Sequence, residues 1–252
     1  MTGLEQVAPG VHRYADGLVN WYLVDDGGEL LLVDSGWPSS WSRIVAAVEQ
    51  LGRRPADLRS VLLTHGHADH LGAAERVRRE WGTPVHARAE EIERVRGRQR
   101  GGSSFALVPK LLPHLWKPTA FGFVLHATRH GFMTPTWVEE VQPFEGGQVL
   151  DLPGRPHAVS TPGHTAGHTC FLLAEHGVLL AGDALVTLDV LTRESGPRLM
   201  PAAVNDDPAA ALASLSALET LTAELLLPGH GAPWSGSPAA AVAAARTLAQ
   251  AG

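Results

Sequence analysis

Four short apolar segments of this chain run directly into turns that carry histidine or aspartate. Apolar runs of this length, bounded by turn residues, are typical of buried β-strands. In open α/β sheets, functional groups gather beyond the carboxyl ends of the strands. This feature therefore predicts sheets that deliver polar side chains from several strand ends to one site. The segments span residues 61–63, 157–160, 178–181 and 225–227.

Helical periodicity alternates with strand patterns along most of the chain. Residues 19–24 and 30–33 predict two strands joined by a tight turn at residues 25–28, and residues 84–87 and 169–173 predict two more. Apolar residues recur at helical spacing over residues 41–51, 71–81, 208–221 and 238–249. This order of elements predicts an α/β fold in which helices cover the outside of the sheets.

The densest group of candidate metal ligands follows the first of the four segments, in the sequence Thr64-His65-Gly66-His67-Ala68-Asp69-His70. Protonated imidazoles this close would repel one another, and a divalent cation bound between neutral rings removes that penalty. His65 and His67 are close enough for their rings to converge on one metal. Asp69 and His70, at the turn into the next helix, point towards a second.

The turns after the other three segments add candidate ligands of the same kind. They supply His164, Asp183 and His230, so the complete set contains only nitrogen and oxygen donors. Such a set suits zinc, iron or manganese, and the sequence does not choose among them.

The His-x-His-x-Asp-His run, followed in order by Gly163-His164, Gly182-Asp183 and Pro228-Gly229-His230, resembles the metallo-β-lactamase superfamily over nearly the whole chain. The resemblance implies one domain over residues 1–252, a four-layer αββα sandwich of two mixed β-sheets with outer helices. It also implies two zinc ions, with iron or manganese as alternatives. The implied ligands are His65, His67 and His164 for one metal, Asp69, His70 and His230 for the other, and Asp183 as a bridge.

The motifs resemble the compact hydrolases of that superfamily, which include lactonases and share the metal site of glyoxalase II. True β-lactamases resemble the chain less, because they lack a bridging aspartate at the position of Asp183 and are exported. We expect a metal-bridging hydroxide to cleave an ester, lactone or thioester, since metal binding lowers the pKa of water to about 7. Asp69 or Asp183 would pass a proton to the leaving group. A phosphodiesterase or nuclease, or a di-iron redox enzyme, stays open as an alternative.

Three polar residues outside the ligand set are candidates for orienting the metal-site imidazoles. The resemblance implies that Asp34 orients a metal-site imidazole, but Asp34 could equally cap the turn before Trp37. Thr165 and His168 lie close enough in sequence to orient His164, and His168 could instead only pack in the core.

Residues 96–137 form an inserted, irregular segment rich in proline and aromatic residues. Segments of this kind are often lids or binding loops, and the alternatives are packing against the core or a subunit interface. A basic run precedes and enters it. We expect this run to be the solvated face of a helix ending at Gly101, or else a contact for an anionic substrate. The run comprises Arg94, Arg96, Arg98 and Arg100.

Composition narrows the classes of partner. The net charge of −6 gives no reason to expect nucleic acid, and with the aromatic insertion it favours a small, apolar acyl substrate. The single cysteine, Cys170, excludes an internal disulfide and is expected to be a small buried residue. No signal peptide or membrane-spanning stretch is evident, so we expect a cytoplasmic protein. The oligomeric state is left open, with a homodimer possible.

Overall fold

Strands that are apolar on both faces form the centre of the molecule. The computed structural model describes residues 3–99 and 109–251. In β3 (Val19–Asp26), Trp21 and Leu23 pack against a helical layer, whereas Tyr22 and Val24 face a second sheet. Successive side chains of a strand point to opposite faces. A strand that is apolar throughout must therefore be covered on both sides, and the result is four layers.

The first sheet has seven strands in the order of the sequence, β1 to β7. The strands from β1 to β4 are antiparallel neighbours, and those from β4 to β7 are parallel. The predicted tight turn joins β3 to β4, with positive φ at Gly27 and Gly28. Besides β3, the strands are β1 (Leu4–Ala8), β2 (Val11–Asp16), β4 (Glu29–Val33), β5 (Leu58–Leu62), β6 (Val85–Arg88) and β7 (Gln142–Phe144).

The second sheet has five strands in the order β14-β13-β10-β9-β8. Only β10 and β13 are parallel neighbours, so both sheets are mixed. The strands are β8 (His157–Ser160), β9 (Thr169–Leu173), β10 (Val178–Gly182), β13 (Leu225–Pro228) and β14 (Trp234–Ser235). Two further strands lie between β10 and β13 in sequence. They are β11 (Val186–Leu188) and β12 (Ser195–Arg198), which form a separate antiparallel pair.

Helices cover the outer face of each sheet and complete the predicted αββα sandwich. Helices α1 (Trp41–Gln50) and α2 (Ala74–Trp81) bury apolar residues against the first sheet. The second sheet is covered mainly by α6 (Ser216–Glu219) and α7 (Pro238–Ala251), and α5 (Pro208–Ser214) precedes them. Two further helices, α3 (Ile92–Val95) and α4 (Pro118–Arg129), lie between β6 and β7 in sequence. No helix among residues 3–99 and 109–251 is long and apolar enough to cross a membrane.

Two predicted helices have different bounds in the structure. The helix expected over residues 71–81 begins at Ala74, because Gly72 passes so close to Trp37 that an added Cβ would lie 2.2 Å from the Trp37 carbonyl carbon. The helix expected over residues 208–221 is divided at Leu215 into α5 and α6.

The prediction of a solvated helix carrying the basic run is wrong where the structure describes it. Helix α3 ends at Val95, and Gly97 then adopts a left-handed φ of 69° that breaks the helical path. Arg94 is buried, with its guanidinium paired to the carboxylates of Glu91 and Asp206. Arg100 and Gly101 lie outside the described residues.

The inserted segment is less irregular than the sequence predicted. Its proline at Pro118 starts α4, since the first turn of a helix tolerates proline. Phe123 packs with Val190 and Met200, and Ala127 packs with Trp37. The glycine- and serine-rich start of the insertion, residues 101–104, lies outside the described part of the chain.

Candidate metal centre

The seven predicted ligands are brought together beyond the ends of four strands. His65 and His67 follow β5, His164 follows β8, Asp183 follows β10, and His230 follows β13. Asp69 and His70 lie on the turn between β5 and α2. The ligand atoms form three overlapping groups, and within each group they lie within 4.8 Å of one another. The groups are His65, His67 and His164; His65, His70 and Asp183; and Asp69, His70 and His230.

Three imidazoles form the first group. His67 Nδ1 lies 3.0 Å from His65 Nε2 and 2.9 Å from His164 Nε2. His65 and His164 are buried, and His67 is partly exposed. Three ring nitrogens that face one another at this distance form a natural pocket for a cation.

Asp183 lies between the histidines of the two halves of the site. One carboxylate oxygen is 3.5 Å from His70 Nε2, and the other is 3.2 Å from His230 Nε2 and 3.3 Å from His164 Nε2. Asp69 lies farther out, with its Oδ2 3.6 Å from His230 Nε2 and 3.9 Å from His70 Nε2. Asp183 thus lies centrally among the three histidines, and Asp69 lies at the edge of the cluster.

Asp34 fixes the orientation of His70 and the turn beside it. Its Oδ2 accepts a hydrogen bond of 2.8 Å from His70 Nδ1. The same carboxylate accepts from the backbone N–H and the hydroxyl of Thr64, both at 2.8 Å. Since the Thr64 hydroxyl donates to Asp34, it accepts at 3.0 Å from His65 Nδ1. Asp34 thus contacts the metal site as the resemblance implied, while the backbone N–H of Trp37 donates to Ser40.

Two other imidazoles are oriented by partners that the sequence did not reveal. His164 Nδ1 donates to Asn205 Oδ1 at 2.8 Å, and His230 Nδ1 donates to the Leu18 carbonyl at 2.5 Å. In each case the proton on Nδ1 leaves the lone pair of Nε2 facing the ligand cluster. The position of Asn205, far from His164 in sequence, has no local signal that could have identified it.

His168 and Thr165 do not orient the His164 ring. His168 Nε2 accepts the backbone N–H of Asp183 at 3.0 Å, and His168 Nδ1 donates to the Thr161 hydroxyl at 2.8 Å. Burial lowers the pKa of His168 to about 3, which keeps the ring neutral and able to accept this hydrogen bond. The Thr165 hydroxyl donates to the buried Glu91 carboxylate instead. His168 therefore supports the turn that carries Asp183.

The donor set and its charges fit divalent cations. Burial first, and then the neighbouring imidazoles, lower the pKa values of His65 and His67 well below the ordinary value, so both rings are neutral, as metal binding requires. For His70, burial lowers the pKa, but the Asp183 and Asp34 carboxylates outweigh it and raise the pKa. His70 Nε2 and Asp183 Oδ1 face each other at 3.5 Å, and both atoms are buried without a hydrogen bond to any described residue. Such atoms carry a large penalty unless a cation satisfies them.

Comparison with known proteins decides the family, because the profile of the metallo-beta-lactamase superfamily matches residues 14–230. The chain belongs to this superfamily. It is 32% identical over 245 residues to the probable metallo-hydrolase YflN of Bacillus subtilis. That match covers 92% of this chain and 87% of the relative. It is 28% identical over 190 residues to the atrochrysone carboxyl ACP thioesterase dmxR1 of a Cryptosporiopsis species, covering 71% of this chain and 45% of the relative.

A solved metallo-beta-lactamase family protein from Thermus thermophilus has the same fold, with a TM-score of 0.66 at 26% identity. The match covers 98% of this chain and 81% of that protein. Together with the His and Asp groups, these likenesses confirm the predicted family and fold, and they make this superfamily member a metal-dependent hydrolase.

An apolar cavity opens onto the ligands of this superfamily member. Its floor includes His67, Asp69, His164, Asp183 and His230. Its walls are apolar and come from the inserted segment and from the stretch that follows β11; they are Leu111, Phe123, Phe132, Val190, Met200 and Val204. The three insertion residues also line a second apolar cavity with Leu115, Val124, Ala127 and Met133. The site therefore combines a polar floor with an apolar approach.

Proposed function

We propose that this hydrolase cleaves an ester, lactone or thioester bond of a small molecule with an apolar acyl group. The observation that carries the proposal is the apolar cavity directly over the His and Asp cluster. Apolar walls favour an acyl group, whereas they offer a phosphodiester neither a cationic side chain nor a hydrogen-bond donor. The similarity to a fungal thioesterase supports an acyl substrate.

The proposed centre holds two divalent cations, zinc by preference and iron or manganese as alternatives. We assign His65, His67 and His164 to one cation, Asp69, His70 and His230 to the other, and Asp183 to both. Cations bound there would polarise a carbonyl oxygen and lower the pKa of a water molecule. The nitrogen and oxygen donor set supports this assignment, and so do His70 Nε2 and Asp183 Oδ1, which are buried without a hydrogen bond in the described part of the chain.

The chain's own residues would position the substrate and handle the leaving group. The insertion, proposed as a lid or substrate wall, supplies Leu111, Phe123 and Phe132 to hold the acyl group and exclude water. Asp69, at the rim of the cluster and on the floor of the cavity, would hold the proton that the leaving group takes up. A pH–rate profile of the Asp69→Asn variant that matches wild type, with metal content unchanged, would remove Asp69 from this role.

The test of the function begins with metal analysis of the purified protein, followed by a substrate panel at full metal loading. The panel contains aryl esters, lactones and acyl thioesters of graded chain length, together with phosphodiesters and β-lactams. We expect turnover of one or more acyl substrates and a preference for apolar acyl groups. Turnover of phosphodiesters alone, or a di-iron visible spectrum without hydrolysis, would contradict the proposal.

A further inference from the structure

We propose that Glu91 is a positioning residue that sets the spacing of the loops carrying His65, His67 and His164. Its buried carboxylate would thereby control the affinity of one of the two metal sites and leave the other unaffected. This inference rests on the metal assignment of the proposed function. Glu91 follows β6, in the short turn before α3, and belongs to none of the sequence motifs.

The Glu91 carboxylate joins two ligand loops that are far apart in sequence. Its Oε1 accepts the backbone N–H of Gly66 at 3.0 Å, and Gly66 lies between His65 and His67. Its Oε2 accepts the Thr165 hydroxyl at 3.0 Å and the Gly167 N–H at 2.8 Å, just after His164. All three partners are donors, which is the environment of an ionised carboxylate.

Close packing shows that the loops are built around this carboxylate. A Cβ added to Gly167 would lie 2.7 Å from both the backbone nitrogen and Oε2 of Glu91. A Cβ added to Gly66 would lie 2.9 Å from Cγ of Arg94. Both glycines let the ligand loops approach the Glu91 turn and α3 more closely than any other residue would allow.

Arg94 extends the connection to a third loop. Its Nε lies 3.3 Å from Glu91 Oε1, and its guanidinium also pairs with Asp206. The Asp206 backbone N–H donates to the His164 carbonyl at 3.1 Å, and the preceding residue, Asn205, holds the His164 ring. Glu91 and Arg94 are 1% and 3% exposed, so their charges depend on each other. We call Glu91 and Arg94 the buried ion pair.

The histidines of the other half take their hydrogen bonds from residues outside the buried ion pair. His70 is held by Asp34, and His230 is held by the Leu18 carbonyl. Neither hydrogen bond involves the buried ion pair. Loss of Glu91 should therefore widen the spacing among His65, His67 and His164 and leave Asp69, His70 and His230 in place. A partner that orients metal ligands from outside the coordination sphere typically contributes about 10- to 100-fold in metal affinity.

The test is a zinc titration of metal-free protein in competition with a chromophoric chelator, for wild type and Glu91→Gln. Glutamine has nearly the same shape, but it turns an NH₂ group towards donors and removes the charge that Arg94 needs. We expect two equivalents to bind to wild type. In the variant, we expect one equivalent to weaken by about 10- to 100-fold and the other to stay unchanged. Glu90→Gln makes the same change at an exposed neighbour and should bind both equivalents as wild type does.

A second variant keeps the test valid if Glu91→Gln does not fold. Thr165→Val removes one hydrogen bond to Glu91 without changing a charge, and it should weaken the same equivalent by a smaller factor. Unchanged affinity for both equivalents, or equal weakening of both, would overturn the inference. The proposed function fails separately, if wild type binds two equivalents and turns over none of the acyl substrates.

Discussion

Single polar groups outside the ligand set decide which nitrogen four of the five imidazoles turn towards the metal centre. The Thr64 hydroxyl, the Asn205 side chain and the Leu18 carbonyl each accept a hydrogen bond from Nδ1 of a histidine, as Asp34 does from His70. His67 is the exception, with Nδ1 facing the cluster and Nε2 lying 3.5 Å from Arg94. These partners restrict the rings to one tautomer and one orientation. The rings therefore lose little conformational entropy when a metal binds.

Asn205 provides a test at the scale of one residue. The Asn205→Leu variant removes the acceptor for His164 Nδ1, so the ring loses both its tautomer preference and its orientation. We expect one of two zinc equivalents to weaken by about 10-fold or more in a chelator competition titration. Asn205→Asp retains an acceptor oxygen and serves as the matched control. Equal zinc affinities for Asn205→Leu and wild type would contradict this role.

At the scale of elements, α4 and the stretch after β11 form the approach to the metal centre. Phe123 on α4 packs with Val190 and Met200, and all three line the apolar cavity over the ligands. The opposite side of the same helix carries Phe121, which is 56% exposed. The helix thus presents one aromatic side chain to the site and one to solvent, so the two can be compared directly.

Truncation of Phe123 should change the choice of acyl group. The Phe123→Ala variant enlarges the cavity beside the metal ligands, so kcat/KM should shift towards longer or bulkier acyl chains. Two substrates whose acyl groups differ by one methylene group in an apolar pocket typically differ about 10-fold or more in kcat/KM. The measurement is kcat/KM across a homologous series of acyl esters, with Phe121→Ala as the control. An identical chain-length profile in both variants would count against α4 as a substrate wall.

At the scale of the whole molecule, the metal centre joins both sheets of the sandwich. Its proposed ligands come from the loop after β5 of the first sheet and from the loops after β8, β10 and β13 of the second. Buried imidazoles and carboxylates destabilise this junction when no cation satisfies them. Bound metal should therefore contribute to the stability of the fold as well as to the reaction.

Removal of metal should lower the melting temperature. A ligand that binds only the folded state adds about 4 kcal/mol when its free concentration is 1,000 times its Kd. For a chain of this size, that corresponds to a rise in Tm of about 10 °C. Thermal unfolding of chelator-stripped protein, with and without zinc, measures the difference. Magnesium, which prefers oxygen ligands, serves as the control. A Tm that does not respond to zinc would argue against metal as a link between the sheets.

Several predictions from the sequence are confirmed, and others stay predictions. The αββα sandwich, the superfamily and metal-dependent hydrolysis are confirmed. The assignment of seven ligands to two cations, the roles of Asp69 and Asp183, and the lid at residues 96–137 stay predictions. The same holds for zinc, for an apolar acyl substrate and for a cytoplasmic location. Helix α4 was missed because its proline and aromatics hide a weak helical pattern, and its apolar face is defined by contacts with residues of the stretch that follows β11.

Features that depend on neighbours along the chain could be predicted from the order of the residues. Periodicity indicated the strands, paired glycines indicated the β3–β4 turn, and the dense run from His65 to His70 indicated a metal site. Tertiary structure alone decided how that site is held. Glu91 contacts Gly66 and Thr165, and Asn205 contacts His164, across separations of 25 to 74 residues. The physical reason is that a buried polar group takes its partner from whichever loop the closed sheets bring beside it, and no local pattern encodes that choice.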